Sequence, residues 1–318
     1  MTTIGFHASH EQLPPSVLLE HVKHAEAAGF EAAMCSDHFN PWLTREGESG
    51  FSWSWLGAAM QATGLSFGTV CAPGQRYHPA IIAQAAATLA EMFPDRFWVA
   101  LGSGEALNES ITGEVWPQKT QRNERLKEAA DVIRALWAGE TVNHVGHFTV
   151  REAKLYTRPK APPLLLGAAL TVETARWMGG WVDGLITAGA DPDGLKKLIH
   201  AFREGGGAGK PIWLQLALSF ASTKEEALKA AHDQWRQAAL SPKLLADLPT
   251  PQQFDSACQY VPPEALLDKL RVSADLNEHW DWIEQYAELG FDRIYLHQVG
   301  RHMMRQFIDK SGERIRSR

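Results

Sequence analysis

The chain has 318 residues, 45% of them apolar, and 31 basic against 37 acidic side chains give a net charge of −6. That length suits one (β/α)8 barrel with modest insertions, or two average domains. No stretch approaches about eighteen uncharged apolar residues, which excludes a membrane-spanning helix, and the lack of a basic block argues against a nucleic-acid or anionic-membrane partner.

Hydrophobic periodicity divides the chain into alternating strands and helices. Residues 3–7 read as a strand, 15–28 as a helix begun by Pro15 and closed by Gly29, and 30–35 as a second strand. A helix over 53–63, a strand over 65–71, an alanine-rich helix over 78–92, a strand over 96–102 and an amphipathic helix over 121–138 follow. The second half continues with strands at 164–167, 184–187, 212–220 and 293–297, and helices at 172–178, 192–204 and 224–239. Alternating buried strands and outer helices mean a parallel sheet. Eight such units, with no Gly-x-Gly-x-x-Gly after an early strand, point to a closed (β/α)8 barrel spanning residues 1–318 as a single domain. Two stretches break the rhythm: 141–157 reads as a hairpin insertion around Gly146-His147, and the proline-rich 240–263 as a loop excursion near the barrel mouth.

Cys35, Cys71 and Cys258 include no Cys-x-x-Cys pair, so neither a disulfide framework nor a structural zinc site is expected. The N-terminal residues lack the basic and apolar parts of a secretory leader, and both features place the chain in a reducing cytoplasm. Twelve tryptophans are the compositional outlier. Flat indoles line pockets for planar or sugar-like ligands, although core packing accounts for most buried aromatics.

In a (β/α)8 barrel the site forms where the strands end. Those ends carry His7; Asp37-His38 with Trp42 four residues on; Thr69 to Pro73; Gly102-Ser103-Gly104-Glu105; and His297-Gln298. An imidazole is the commonest proton-transfer group near neutral pH. The glycines before Glu105 let backbone approach a ligand closely. A metal-dependent hydrolase would want His-x-His after the first strand, where Phe6-His7-Ala8 stands, and no ligand cluster occurs elsewhere; no metal is expected.

Four ordered motifs are shared with a known group: Ser36-Asp37-His38-Phe39-x-Pro41-Trp42; Phe51-Ser52-x-Ser54-Trp55; Arg76-Tyr77-x-Pro79-Ala80-x-Ile82-Ala83-Gln84; and Gly102-x-Gly104-Glu105-Ala106-Leu107-Asn108-Glu109. In these the chain resembles the bacterial-luciferase-like superfamily, and within it the deazaflavin-dependent glucose-6-phosphate dehydrogenase branch. The resemblance implies a flavin-type ring, coenzyme F420 or FMN, at the barrel mouth. It implies cofactor contacts from Asp37, Thr69, Val70, Ala72, Ser103, Gly104, Asn108, Ala169, Leu170, Thr171 and Thr174, with a strained cis peptide at Thr69-Val70 behind the ring. His38, Glu105 and Trp42 would surround the reacting carbon, Glu105 accepting the hydroxyl proton and His38 acting as donor or electrostatic partner.

The resemblance also implies a homodimer. Three activities compete: hydride transfer from a hydroxyl-bearing substrate, an FMN-dependent monooxygenase fed by a partner flavin reductase, and a non-catalytic flavin-binding barrel. The chain departs from the branch in three places. Ala168-Ala169 replaces a phosphate-binding Gly-Gly pair, which brings FMN into competition; Asp191 stands where a phosphate-binding lysine is expected; and Lys269 replaces an arginine. An uncharged small-molecule substrate follows from the last two.

Overall fold

A computed structural model describes residues 2–317. In chain order it forms β1 (Thr3–Ala8), α1 (Pro15–Ala28), β2 (Ala32–Ser36), α2 (Ser52–Ala62), β3 (Ser66–Cys71), α3 (Pro79–Met92), β4 (Phe97–Leu101), α4 (Ala106–Glu109) and α5 (Lys119–Ala138). A hairpin of β5 (Val142–Val145) and β6 (Thr149–Ala153) follows, then β7 (Leu164–Ala168), α6 (Val172–Gly179), β8 (Gly184–Ala188), α7 (Pro192–Phe202), β9 (Ile212–Phe220) and α8 (Lys224–Trp235). The chain ends with α9 (Pro242–Asp247), α10 (Pro251–Ala257), β10 (Arg271–Ser273), α11 (Leu276–Glu288), β11 (Arg293–Gln298) and α12 (Met304–Arg316).

Local sequence sets many element ends. Pro15 opens α1 with a pre-set φ, and Gly29 closes it at φ +112°, its N–H reaching the Ala25 and Glu26 carbonyls. The segment 240–263, read from its prolines as irregular, instead carries two short helices. Pro242 and Pro251 sit in their first turns, and the Ser241 and Thr250 side chains accept from Leu244 N–H and Gln253 N–H. Prolines that break a helix interior start one when a capping hydroxyl precedes them.

Strands β1, β2, β3, β4, β7, β8, β9 and β11 are all parallel, and the β8–β9 pairing completes the ring. This closed eight-stranded barrel has its helices outside, and β10 adds to β9 beyond the ring. All eight barrel strands coincide with the strand patterns of the sequence. The Thr69–Val70 peptide is trans, as are all peptide bonds among the described residues; β3 pairs there without interruption to both β2 and β4.

Alternation along the strands fills the barrel. Trp98, Trp213 and Tyr295 point inward and pack together, the two tryptophans edge to face with centroids 4.8 Å apart and the Trp98 and Tyr295 rings tilted at 5.7 Å. Glycines make room for them: a Cβ at Gly68 would lie 2.0 Å from the Trp98 indole, and one at Gly5 would lie 2.4 Å from the Tyr295 ring. This aromatic plug closes the barrel interior, so a ligand can enter only above it. Of the twelve tryptophans, six are buried and six half-buried.

Gly68→Ala should cost about 1–3 kcal/mol by overpacking. In a double-mutant cycle with Trp98→Leu, measured by urea denaturation, most of that cost should vanish because the clash partner is gone. An undiminished cost in the Trp98→Leu background would mean that Gly68 serves some other constraint.

Candidate active site

Continuing the alternation upward identifies the side chains that face the mouth. On β3, β4, β7 and β8 these positions hold Val70, Gly102, Ala168 and Ala188; on β11, β1 and β2 they hold His297, His7 and Ser36. One half of the rim is therefore small and apolar, the other polar.

Three loops carry the reactive groups. His38, just beyond β2, lies between two carboxylates: its Nδ1 is 3.4 Å from Glu11 Oε1 and its Nε2 is 3.7 Å from Glu105 Oε2. Glu11 is buried beyond β1 and accepts from the Ser9 hydroxyl at 2.7 Å and the Ser36 hydroxyl at 2.6 Å. Burial would raise its carboxyl, but His38 and the two hydroxyl bonds outweigh that and lower it. Glu105 precedes α4 and is shifted the other way, upward, chiefly by burial, with His38 opposing. Trp42 packs against the His38 ring at 5.1 Å and is backed edge-on by Phe254 of α10 at 5.2 Å.

Asp37 and Asn108 hold this arrangement together. The Asp37 carboxylate accepts from Ser52 Oγ at 2.7 Å, the Tyr77 hydroxyl at 3.1 Å and Arg76 at 3.1 Å. Both of its oxygens thus have protein partners, and the side chain is buried. Arg76 reaches on toward Glu109, 3.9 Å away, whose carboxylate also accepts the Arg76 backbone N–H at 2.8 Å. Asn108 accepts the Phe39 N–H at 2.9 Å and donates to Glu105 Oε2 at 3.3 Å, bracing the β2 loop against the reactive carboxyl.

The other sequence candidates surround the apolar half. Thr69 is buried and donates to the Cys35 carbonyl at 3.0 Å, while Val70 is half-buried on the barrel floor and Ala72 follows β3. Ser103 accepts from Lys119 Nζ at 2.8 Å. Gly104 has φ +81°, and a Cβ there would stand 3.3 Å from both Glu109 and Trp116. Ala169 is buried and Leu170 exposed; Thr171 caps α6, accepting from Thr174 N–H at 3.3 Å, with the two hydroxyls 3.0 Å apart. Among the described residues, no three His, Cys, Asp or Glu side chains are arranged to hold a metal ion.

Sequence reading missed Glu11, Glu46 and the bracing role of Arg76. Glu11 lies four residues beyond His7, where the scan of strand ends stopped; a carboxylate in the loop after the first strand was the available signal. Glu46 is buried, accepts the Leu43 N–H at 2.9 Å, and is pushed well up by burial and by the Glu11 charge.

Several histidines near the rim are held neutral. Burial brings His10 down to about 4, with Glu11 and Asp37 opposing. A group depressed in the folded state binds its proton first in the unfolded chain, so it removes stability as pH falls below about 6.5. His10→Gln should therefore lose about 2 kcal/mol less than the parent between pH 7 and pH 5, read from urea midpoints. An equal loss in both proteins would mean that His10 carries its charge in the folded state.

Comparison with known proteins gives the family of the chain. The model of the luciferase-like monooxygenase family matches residues 1–293. An F420-dependent glucose-6-phosphate dehydrogenase of Microbacterium testaceum (strain StLB037) is 35% identical over 98% of this chain and 95% of its own, and one of Mycobacterium tuberculosis (strain CDC 1551 / Oshkosh) is 33% identical over 96% and 94%. Among solved structures, an F420-dependent secondary alcohol dehydrogenase in complex with an F420–acetone adduct superposes with a TM-score of 0.90 at 32% identity, covering 98% of this chain and 97% of the other. The chain belongs to the luciferase-like monooxygenase family.

Proposed function

We propose that this protein is a coenzyme F420-dependent dehydrogenase that oxidises the hydroxyl-bearing carbon of a small uncharged substrate. The observation that carries the reading is His38 set between Glu11 and Glu105 beside an apolar shelf. The names of the full-length relatives support the cofactor.

The residues present suit a planar tricyclic ring. Val70, Gly102 and Ala168 form a shallow floor, and Gly104 brings main chain close without a side chain. The hydroxyls of Thr171 and Thr174 and the N-terminus of α6 would take the phosphate. When bound, the deazaflavin supplies the carbon that accepts a hydride.

The protein's task is the proton. A neutral His38 with its proton on Nδ1, toward Glu11, presents Nε2 as acceptor for the substrate hydroxyl proton. The imidazolium formed is then stabilised by the Glu11 carboxylate. The 3.4 Å separation is an ion-pair distance, and such contacts tighten when substrate fills the site. Glu105, its carboxyl raised by burial and braced by Asn108, stands on the other side of His38. This order reverses the expectation from sequence, and the reason is Glu11: a buried carboxylate stands behind the imidazole, where it can face the charge that His38 takes up. Trp42 and Phe254 exclude water from the exchange.

Mass spectrometry and absorbance of the cofactor from native protein test the reading; recovery of FMN in place of the deazaflavin would overturn it. His38→Ala and Glu105→Gln should each lower kcat by about 100-fold with the deazaflavin affinity of the apoprotein, read by fluorescence, within about threefold of the parent. Loss of cofactor binding in either variant would place that residue on the ring and not on the proton path.

The proposal extends to a cytoplasmic homodimer. Three free, buried cysteines suit a reducing compartment, and Ile81, Val145 and Tyr156 expose apolar surface around the hairpin. Sedimentation equilibrium at a single protomer mass would overturn the dimer.

A further inference from the structure

The polar half of the rim contains a pair of groups that the proton path does not use. His7 and His297 occupy inward positions on the adjacent strands β1 and β11, with ring centroids 4.4 Å apart. His297 is held at one nitrogen: its Nε2 meets Gln12 Oε1 at 2.8 Å, and Trp235 stands edge-on at 4.6 Å. Gln12 is pinned in turn, donating to Gln234 at 3.2 Å and to the Val299 carbonyl at 3.1 Å.

His7 is held only by stacking. It is 3% exposed, its Nδ1 is buried without a partner, and no described residue makes a hydrogen bond to its ring. A buried imidazole without a hydrogen-bond partner is costly unless something in the mouth supplies one. Glu11, His10 and His38 all lie within electrostatic range of it, so it borders the reactive pair.

Resting on the dehydrogenase reading above, we infer that His7 is a specificity-determining residue: it hydrogen-bonds a second, uncharged hydroxyl of the substrate while His38 receives the reacting one. The substrate class is thereby a neutral diol, polyol or sugar, seated over β11, β1 and β2 opposite the apolar shelf.

Charge on this side of the mouth agrees. Burial, with His297 beside it, holds His7 well below the ordinary imidazole range, and burial brings His297 down to about 3. Neither imidazole supplies the positive charge a phosphate needs. The arginines nearby are turned away: Arg301 donates to the Gln12 and Glu46 carbonyls, and Arg271 to the Tyr286 hydroxyl and the Ala190 carbonyl. Asp191 caps α7 through Asp193 N–H and Gly194 N–H, and Lys269 is exposed. Glu11, whose carboxyl is lowered by His38 and two hydroxyl bonds against the effect of burial, adds negative charge, so a phosphate dianion would be repelled.

The test uses the protein loaded with coenzyme F420 and four probes: 2-propanol, 1,2-propanediol, glucose and glucose 6-phosphate. The parent should prefer glucose to glucose 6-phosphate by about 100-fold in kcat/KM. His7→Leu should raise KM for 1,2-propanediol and glucose about tenfold, leave KM for 2-propanol within about twofold, and leave deazaflavin binding by the apoprotein unchanged. His7→Gln, which keeps a hydrogen-bonding group, should recover most of that loss and covers the case in which the leucine variant fails to fold. An equal KM change for all alcohols, no change at all, or weakened cofactor binding would overturn the role of His7. A parent protein that oxidises none of the alcohols with F420 bound would instead overturn the dehydrogenase reading.

Discussion

The site depends on one buried carboxylate. Asp37 accepts hydrogen bonds from Ser52, Tyr77 and Arg76, which arrive from α2 and from the loop after β3, and Arg76 continues to Glu109 on α4. The rims of β2, β3 and β4 are thus tied through one charged network. Burying such charges is tolerable only because nearly every oxygen has a donor. His38 is the next residue along from Asp37, and Glu105 stands four residues before Glu109. The network therefore sets the separation of His38 and Glu105, the two groups proposed to handle the proton.

Beneath that network, the barrel confines ligands to one end. The Trp98, Trp213 and Tyr295 plug fills the interior because Gly5 and Gly68 lack side chains on the facing strands. Above the plug, the rim divides into Val70, Gly102 and Ala168 on one side and His297, His7 and Ser36 on the other, the separate places that the proposed ring and substrate would take. On the proposed reading His38 and Glu105 stand between the two regions, where the proton of the substrate hydroxyl oxygen can leave on the side away from the ring. The α8–α10 excursion completes the enclosure: Phe254 backs Trp42, and Leu43, Leu107, Phe254 and Cys258 form a small apolar cluster behind it.

The candidate residues differ in how they relate to the sequence reading. His38, Trp42 and Glu105 meet as a group, since each follows a strand end and parallel strands bring their ends together. Asp37, a cofactor contact by the resemblance, has its carboxylate oxygens bonded within the protein. Glu11 offers the sequence only a carboxylate after the first strand, because its significance comes from Ser9, Ser36 and His38, three partners that no local pattern connects. The prolines of 240–263 were read as breakers, yet Ser241 and Thr250 convert them into helix starts.

Hydrophobic alternation, glycine and proline punctuation and strand count determined the barrel, because strand and helix periods are local properties of the chain and eight parallel units have few ways to close. The identities of residues at strand ends likewise nominated His38 and Glu105. What only the tertiary structure decided is which atoms face which: that Glu11 stands behind His38, that Arg76 reaches Asp37, and that His7 packs against His297 across 290 positions of sequence. Those pairings depend on burial and on donor–acceptor distances of about 3 Å, and side chains reach such distances only after the barrel has closed.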